Sequence, residues 1–323
     1  MDRREFLKLV AAAGAGAVAA RAGLAAEDPP TAAPPPAPAP LPRRRYGAQG
    51  PELSVIGFGG IVVSGIEPQE AAEVVAWAVD RGVNYFDVAP SYGNAEERLG
   101  PALAPHRKKV FLACKTAKRD AAGARAELTR SLELLKTDHF DLYQLHGLAK
   151  KEDVETAFGP GGALETLVSA REEGLVRWLG FSAHDADLAV DALSRFRFDS
   201  VLVPLNAVCV ENGKFGPTVV DKAKETGTTL LGLKALAWTK WKEGEERTYP
   251  KCWYRPADDP ELAGLLLRYA LDLPVASTIP PGDARLFRLA VELAARHRPL
   301  TARERQALLA RLEGVEPLFR HRA

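Results

Sequence analysis

From Arg45 onward, apolar runs of strand length alternate with helical patterns. Three observations predict the fold class: that alternation, the count of eight runs, and the length. Strands alternating with helices build a parallel sheet with its helices outside, and eight strands close a barrel. A chain of 323 residues holds one such barrel, roughly 250 residues in its usual form, plus an extension. The predicted fold is therefore α/β: a (β/α)8 TIM barrel with an additional C-terminal helix, over residues 44–323.

The elements follow in order. SVIGFGG from Ser54 is the first strand and precedes a helix from about Glu67 to Arg81. NYFDVA leads to a helix near Ala95, and VFLACK to one from Ala121 to Leu135. DLYQLH, WLGFS, SVLVPL, TLLGLKAL and VASTIP supply the other five strands. In GGALETLVSAREEG, Leu164, Leu167 and Val168 line one helix face and Gly174 stops the run. TARERQALLARLEG opens on Thr301 with Glu304 three residues on, a capping box, so a last helix should lie across the outside of the barrel. Trp178 reads as barrel packing. Tyr85 and Phe86 are adjacent in one strand, so one of them must face the helix layer.

Lys and Arg total 43 against 42 Asp and Glu, a net charge of +1, which leaves no global footprint for nucleic acid. The run Arg43 to Arg45 reads as a solvated linker end. Cys114, Cys209 and Cys252 are far apart with no CxxC pair, so no zinc or iron-sulfur site is expected, and Cys114 reads as a core residue. Pro29 to Pro42, PPTAAPPPAPAPLP, lacks backbone donors at its prolines and should be a stiff, extended tether within a linker over 27–43.

Chemistry concentrates in NYFDVAPSYG, KVFLACKT and FDLYQLHG. Each closes an apolar run with polar residues at its C-terminal edge, where a parallel barrel does its catalysis. They place Asp87, Tyr92, Lys115 and His146 in fixed order. A tyrosine of ordinary pKa near 10 becomes a usable proton donor beside a cation. Lys115 supplies that cation and Asp87 holds it. His146 is placed to donate a second hydrogen bond to a developing oxyanion. Such a set reduces a carbonyl with hydride and needs no metal.

These four positions, with GFGG around Phe58, GFSAHD around Phe181, GLKAL around Lys234 and STIPPGD from Ser277, resemble the aldo-keto reductase family between about Arg45 and Gly314. The resemblance implies an aldehyde or ketone substrate and NADP(H) bound extended over the barrel mouth, without a Rossmann domain. Ser182, Asn206, Lys234, Ser277, Thr278 and Gly282 fall at the family's cofactor positions. Gly282 begins the turn into a helix at about Asp283, whose free N–H groups could face a phosphate. Arg285 or Arg288 would then pair with the 2′-phosphate. Two departures stand out: Ala183 follows Ser182 where many members have asparagine, and Leu202 and Leu205 replace the glutamine and tyrosine that precede the Asn206 position. His184 either replaces the missing donor or simply begins the next helix. Between Ala237 and Pro256 an aromatic loop holding Trp238, Trp241, Trp253 and Tyr254 reads as a substrate lid, with Trp238 and Trp241 the candidate substrate contacts, or else packs its own tryptophans on the barrel rim.

MDRREFLK resembles the twin-arginine export signal, with Arg3, Arg4, Phe6, Leu7 and Lys8 filling its pattern. Leu9 to Ala20 is too short to span a bilayer, which takes about 20 residues, and GLAA from Gly23 supplies a cleavage site. The first 26 residues are thus expected to engage the export machinery and to leave an enzyme outside the cytoplasm with no membrane span. Two other readings remain open at this level: a nucleotide-binding sensor barrel without turnover, and an aldolase using Lys115 as a Schiff base, which would require an unpaired, desolvated lysine.

Overall fold

The computed structural model describes residues 40–321; the export signal and nearly all of the linker lie outside the described residues. An antiparallel hairpin comes first, β1 (Arg43–Arg45) against β2 (Glu52–Ser54). Arg43 to Arg45 is therefore a strand, and not a solvated linker end as the sequence suggested. Arg44 turns inward and donates to the carbonyls of Leu271 (2.6 Å), Leu273 (3.2 Å) and Val275 (2.8 Å), at the end of the helix Pro260–Asp272, where carbonyls lack helical partners. Tyr46 packs 5.0 Å from Phe111 and 5.5 Å from Trp178. The hairpin thereby closes the N-terminal end of the barrel, the end that serves stability rather than chemistry.

The barrel strands are β3 (Phe58–Gly59), β4 (Tyr85–Asp87), β5 (Phe111–Thr116), β6 (Phe140–Leu148), β7 (Val176–Ala183), β8 (Ser200–Val203), β9 (Thr229–Leu233) and β12 (Val275–Ile279), with β10 (Ala237–Lys240) and β11 (Tyr254–Pro256) standing apart from the barrel. Neighbours pair in parallel from β3 round to β9 and then β12. A parallel bridge from Ile56 to Thr278 closes the ring, with Gly57 N–H donating to Thr278 O at 3.0 Å. All eight predicted strands are present. They read clearly in sequence because parallel strands are covered on both faces; every residue of β5 is buried.

The interior is packed by Tyr85, Phe111, Ala113, Leu142, Leu202, Leu231 and Ile279, while Phe86 faces the helix layer and stacks 5.0 Å from Phe58. Helices fill the connections, among them Pro68–Asp80, Ala95–Leu103, Ala121–Leu134 and Ala163–Glu172. The capping box forms as expected: Thr301 accepts from Glu304 N–H and opens Ala302–Leu312. Strands β10 (Ala237–Lys240) and β11 (Tyr254–Pro256) form an antiparallel hairpin after β9, on the C-terminal side of the barrel.

Candidate active site

Asp87 ends β4, Lys115 sits near the end of β5 and His146 near the end of β6, so the parallel register brings three side chains to one rim. Tyr92 follows β4 in the loop before Ala95–Leu103. Lys115 is fully buried and pairs with Asp87 through a short Nζ–Oδ1 contact; its Nζ also donates to Val88 O at 3.2 Å. The second carboxylate oxygen accepts from Tyr85 Oη and Gln144 Nε2, both at 3.1 Å. Burial alone would lower the Lys115 pKa, but Asp87 and Tyr92 outweigh it and hold it above its ordinary value. The lysine stays charged and paired, the reverse of what a Schiff base requires.

The Lys115 ammonium lies 5.2 Å from the centre of the Tyr92 ring. Burial raises the Tyr92 pKa and Lys115 only partly offsets this, so the phenol is not acidified toward neutrality as the sequence suggested; it is kept in its protonated, donating form. The His146 ring stands edge-on to Tyr92 at 5.6 Å, with Nδ1 3.3 Å from Ser91 Oγ. Burial, then the Lys115 charge, pushes its pKa down to about 3, so it is a neutral imidazole. In the tautomer in which Nδ1 accepts from the Ser91 hydroxyl, Nε2 carries the proton. Arg119 donates to the carbonyls of His146 and Gly147 at 2.8 and 3.3 Å, and Gly147 takes φ +61°, a conformation glycine adopts without strain.

Asp87 and Tyr92 line a cavity of about 100 Å³ with Leu202, Lys234, Lys251, Trp253 and Gly282. A larger, open hollow of about 680 Å³ borders Arg44 and His297, at the opposite end and away from the quartet. Lys234 follows β9 with φ +62°. Its Nζ lies 3.3 Å from His184 Nε2 and 5.6–5.8 Å from the rings of Phe319 and Trp253. No ion pair to Lys234 forms among the described residues, and burial lowers its pKa to about 8. His184 stacks on Phe319 at 4.8 Å, while Asp185 caps the next helix. The His184 pKa is pushed down to about 3 by burial and by Lys234, so the neutral imidazole accepts from the lysine.

The other predicted cofactor positions divide. Ser182 Oγ accepts from Gly147 N–H at 2.7 Å. Asn206 Oδ1 caps the helix Ala207–Glu211, leaving its buried Nδ2 without a partner. Ser277 and Thr278 are buried in β12 with unpartnered hydroxyls; the cavity wall there is made by Ile279, Pro280 and Gly282. A Cβ on Gly282 would come 2.4 Å from Ile61. Among the N–H groups after Gly282, that of Arg285 is already taken: Asp283 accepts from it at 2.9 Å and holds the Arg285 guanidinium. Arg288 lies over Trp77 at 4.5 Å.

Trp238 and Trp241 are not cavity walls. Trp238 packs with Ala207, Val208 and Tyr269 on the outer layer, and Trp241 donates to Cys252 O at 2.8 Å. The hairpin register turns Trp253 to the cavity instead. Sequence reasoning names Trp253 in this lid segment but misses Gln144, Lys251 and Phe319. For Gln144 a signal existed, since it sits two residues before His146 on the same strand face; Lys251 and Phe319 carry none. Among the described residues no cluster suited to a metal ion is found, and no helix is long and apolar enough to cross a membrane.

The aldo/keto reductase family model matches residues 55–309. An uncharacterized oxidoreductase of Bacillus subtilis, YqkF, is 23% identical over 82% of this chain and 95% of its own. A 6-dehydroglucose reductase of Novosphingobium aromaticivorans is 31% identical over 62% of this chain and 69% of its own. Among solved structures, an aldo-keto reductase of Bacillus halodurans in its holo form superposes with a TM-score of 0.65 at 25% identity, covering 84% of this chain and 96% of that one. One from Klebsiella pneumoniae in complex with NADPH gives 0.66 at 19% identity over 87% and 99%, a likeness of fold.

Proposed function

The chain belongs to the aldo-keto reductase family, and on that premise we propose that it reduces an aldehyde or ketone to an alcohol with a nicotinamide dinucleotide, NADP(H) being the form the resemblance implied. The observation that carries this reading is the joined set: the Asp87–Lys115 pair beside Tyr92, with His146 edge-on to the Tyr92 ring, and Asp87 and Tyr92 opening onto one cavity. The residues present fit a dinucleotide: among the described residues Lys234 is a cation without an acidic partner, open to a diphosphate, Lys251 is a second lysine on the same wall, and Asn206 Nδ2 is an orphaned donor suited to a carboxamide. When bound, the dinucleotide supplies the hydride. Tyr92 Oη delivers the proton to the carbonyl oxygen. Lys115, fixed by Asp87, stabilises the phenolate left behind. Neutral His146 orients the carbonyl through Nε2–H. A cavity of about 100 Å³ is far below the roughly 300–1,000 Å³ of small-molecule sites. The segment Lys251–Tyr254, held by Lys251 Nζ on Val62 O at 2.9 Å, borders that cavity, and a shift of it would widen the space open to the dinucleotide. The Arg3–Arg4 pattern supports export of the enzyme.

The test is a titration with NADPH and NADH followed by tryptophan fluorescence, which Trp253 reports, then addition of aldehydes and ketones while nicotinamide absorbance is recorded. Binding with loss of absorbance is expected. Binding without turnover would favour a nucleotide-binding sensor, and no binding would remove both readings.

Lys234 gives a pH signature. An anion bound to it stabilises the ammonium, so binding takes up a proton once the free lysine has titrated at about 8. Affinity should be level below about pH 7 and fall as pH rises past about 8, by up to tenfold per unit. Lys234→Gln should flatten that curve. A parent enzyme with the same Kd from about pH 6.5 to about 9.5 would take Lys234 out of the cofactor site.

A further inference from the structure

At the β12 end of the cavity, Gly282 leads into the helix Ala284–Ala294, and its side chains are arranged against a phosphate. Asp283 is the N-cap. Its Oδ1 accepts the Arg285 N–H at 2.9 Å and Arg285 Nε at 3.0 Å, and its Oδ2 accepts from the guanidinium at 3.1 Å. Arg285 also donates to Thr248 O at 3.1 Å and lies 4.6 Å over the Tyr249 ring. Arg288 is engaged with Trp77. Burial works to raise the Asp283 pKa, but the bonds from Arg285 outweigh it and hold the carboxyl below its ordinary value.

A helix N-terminus offers an anion about half a positive charge and a few N–H groups. Here an internal carboxylate already takes the Arg285 N–H and sets its own negative charge against that end of the helix. A phosphate ester brought to this end would meet a like charge and would have to pull Arg285 from a two-point contact. A ribose 2′-hydroxyl faces neither obstacle.

We propose that Asp283 sets cofactor specificity: by holding the helix N-terminus and Arg285 where a 2′-phosphate would need them, it makes this chain accept the dinucleotide without that phosphate at least as well as the one with it. This rests on the dinucleotide reading above and departs from the NADP(H) preference that the family resemblance implied. Asp283 is a specificity residue of the binding step and takes no part in the chemistry.

Dissociation constants for NADH and NADPH, measured by fluorescence or calorimetry on the parent, Asp283→Asn, and Asp283→Asn with Arg285→Ala, test it. Asparagine still caps a helix, and Asp283→Ser keeps a cap should the first variant fold poorly. The parent should bind NADH as tightly as NADPH or tighter. Asp283→Asn should shift the ratio toward NADPH by about tenfold or more, chiefly by tightening NADPH, and the added Arg285→Ala should cancel that shift. A parent that binds NADPH about tenfold tighter than NADH, or a ratio unmoved in Asp283→Asn, overturns the inference and leaves the dinucleotide reading standing. A parent that binds neither overturns both.

Discussion

Tyr92→Phe is expected to lower kcat by about two to four orders of magnitude, the usual worth of a positioned acid, while leaving dinucleotide affinity and thermal stability near those of the parent. The ring's packing survives the change, and only the hydroxyl proposed to protonate the carbonyl is lost. Because burial keeps the phenol protonated, the donor is available throughout the neutral range. His146, neutral down to about pH 3, adds no inflection near the ordinary histidine value of about 6.5. A kcat profile level from about pH 5 to about 8 therefore accompanies the prediction. Should Tyr92→Phe retain more than about a tenth of parental turnover, the proton comes from another group. A titration near pH 6.5 in the parent would mean that His146 is more solvated than its place beside Tyr92 and Ser91 indicates.

The barrel was legible because each of its strands is covered on both faces and so appears as an unbroken apolar run; VFLACK is the clearest case. The quartet was legible for a related reason: strand ends share one rim, so a residue type at the end of a run fixes its place to within a few ångströms. Legibility failed where placement depends on contacts distant in sequence. Nothing in the run Arg43 to Arg45 shows that Arg44 will satisfy carbonyls at Leu271 and Val275. The pairing of β10 with β11, with its irregular step between Ala237 and Thr239, decides that Trp253 faces the cavity while Trp241 turns to Cys252, and no local periodicity carries that register. Arg285 is an intermediate case. A cation at a helix start suggested phosphate, yet aspartate is itself a favoured N-cap, and Asp283 two residues earlier is the nearer partner.

Lys115→Met should abolish turnover and also cost about 3–5 kcal/mol of stability, the usual effect of removing one member of a buried ion pair. Asp87 would be left buried with only Tyr85 Oη and Gln144 Nε2 as donors, two neutral groups in place of an ammonium. Those two effects have different origins, and a second substitution separates them. Asp87→Asn added to Lys115→Met removes the stranded charge while keeping acceptor and donor shape, so most of the lost stability should return in urea unfolding. Turnover should not return, because Tyr92 would still lack the cation that stabilises its phenolate. Full stability in Lys115→Met alone would mean that the Asp87–Lys115 pair is reached by water. Recovery of turnover in the double variant would show that Lys115 serves only to neutralise Asp87, with Tyr92 working unaided.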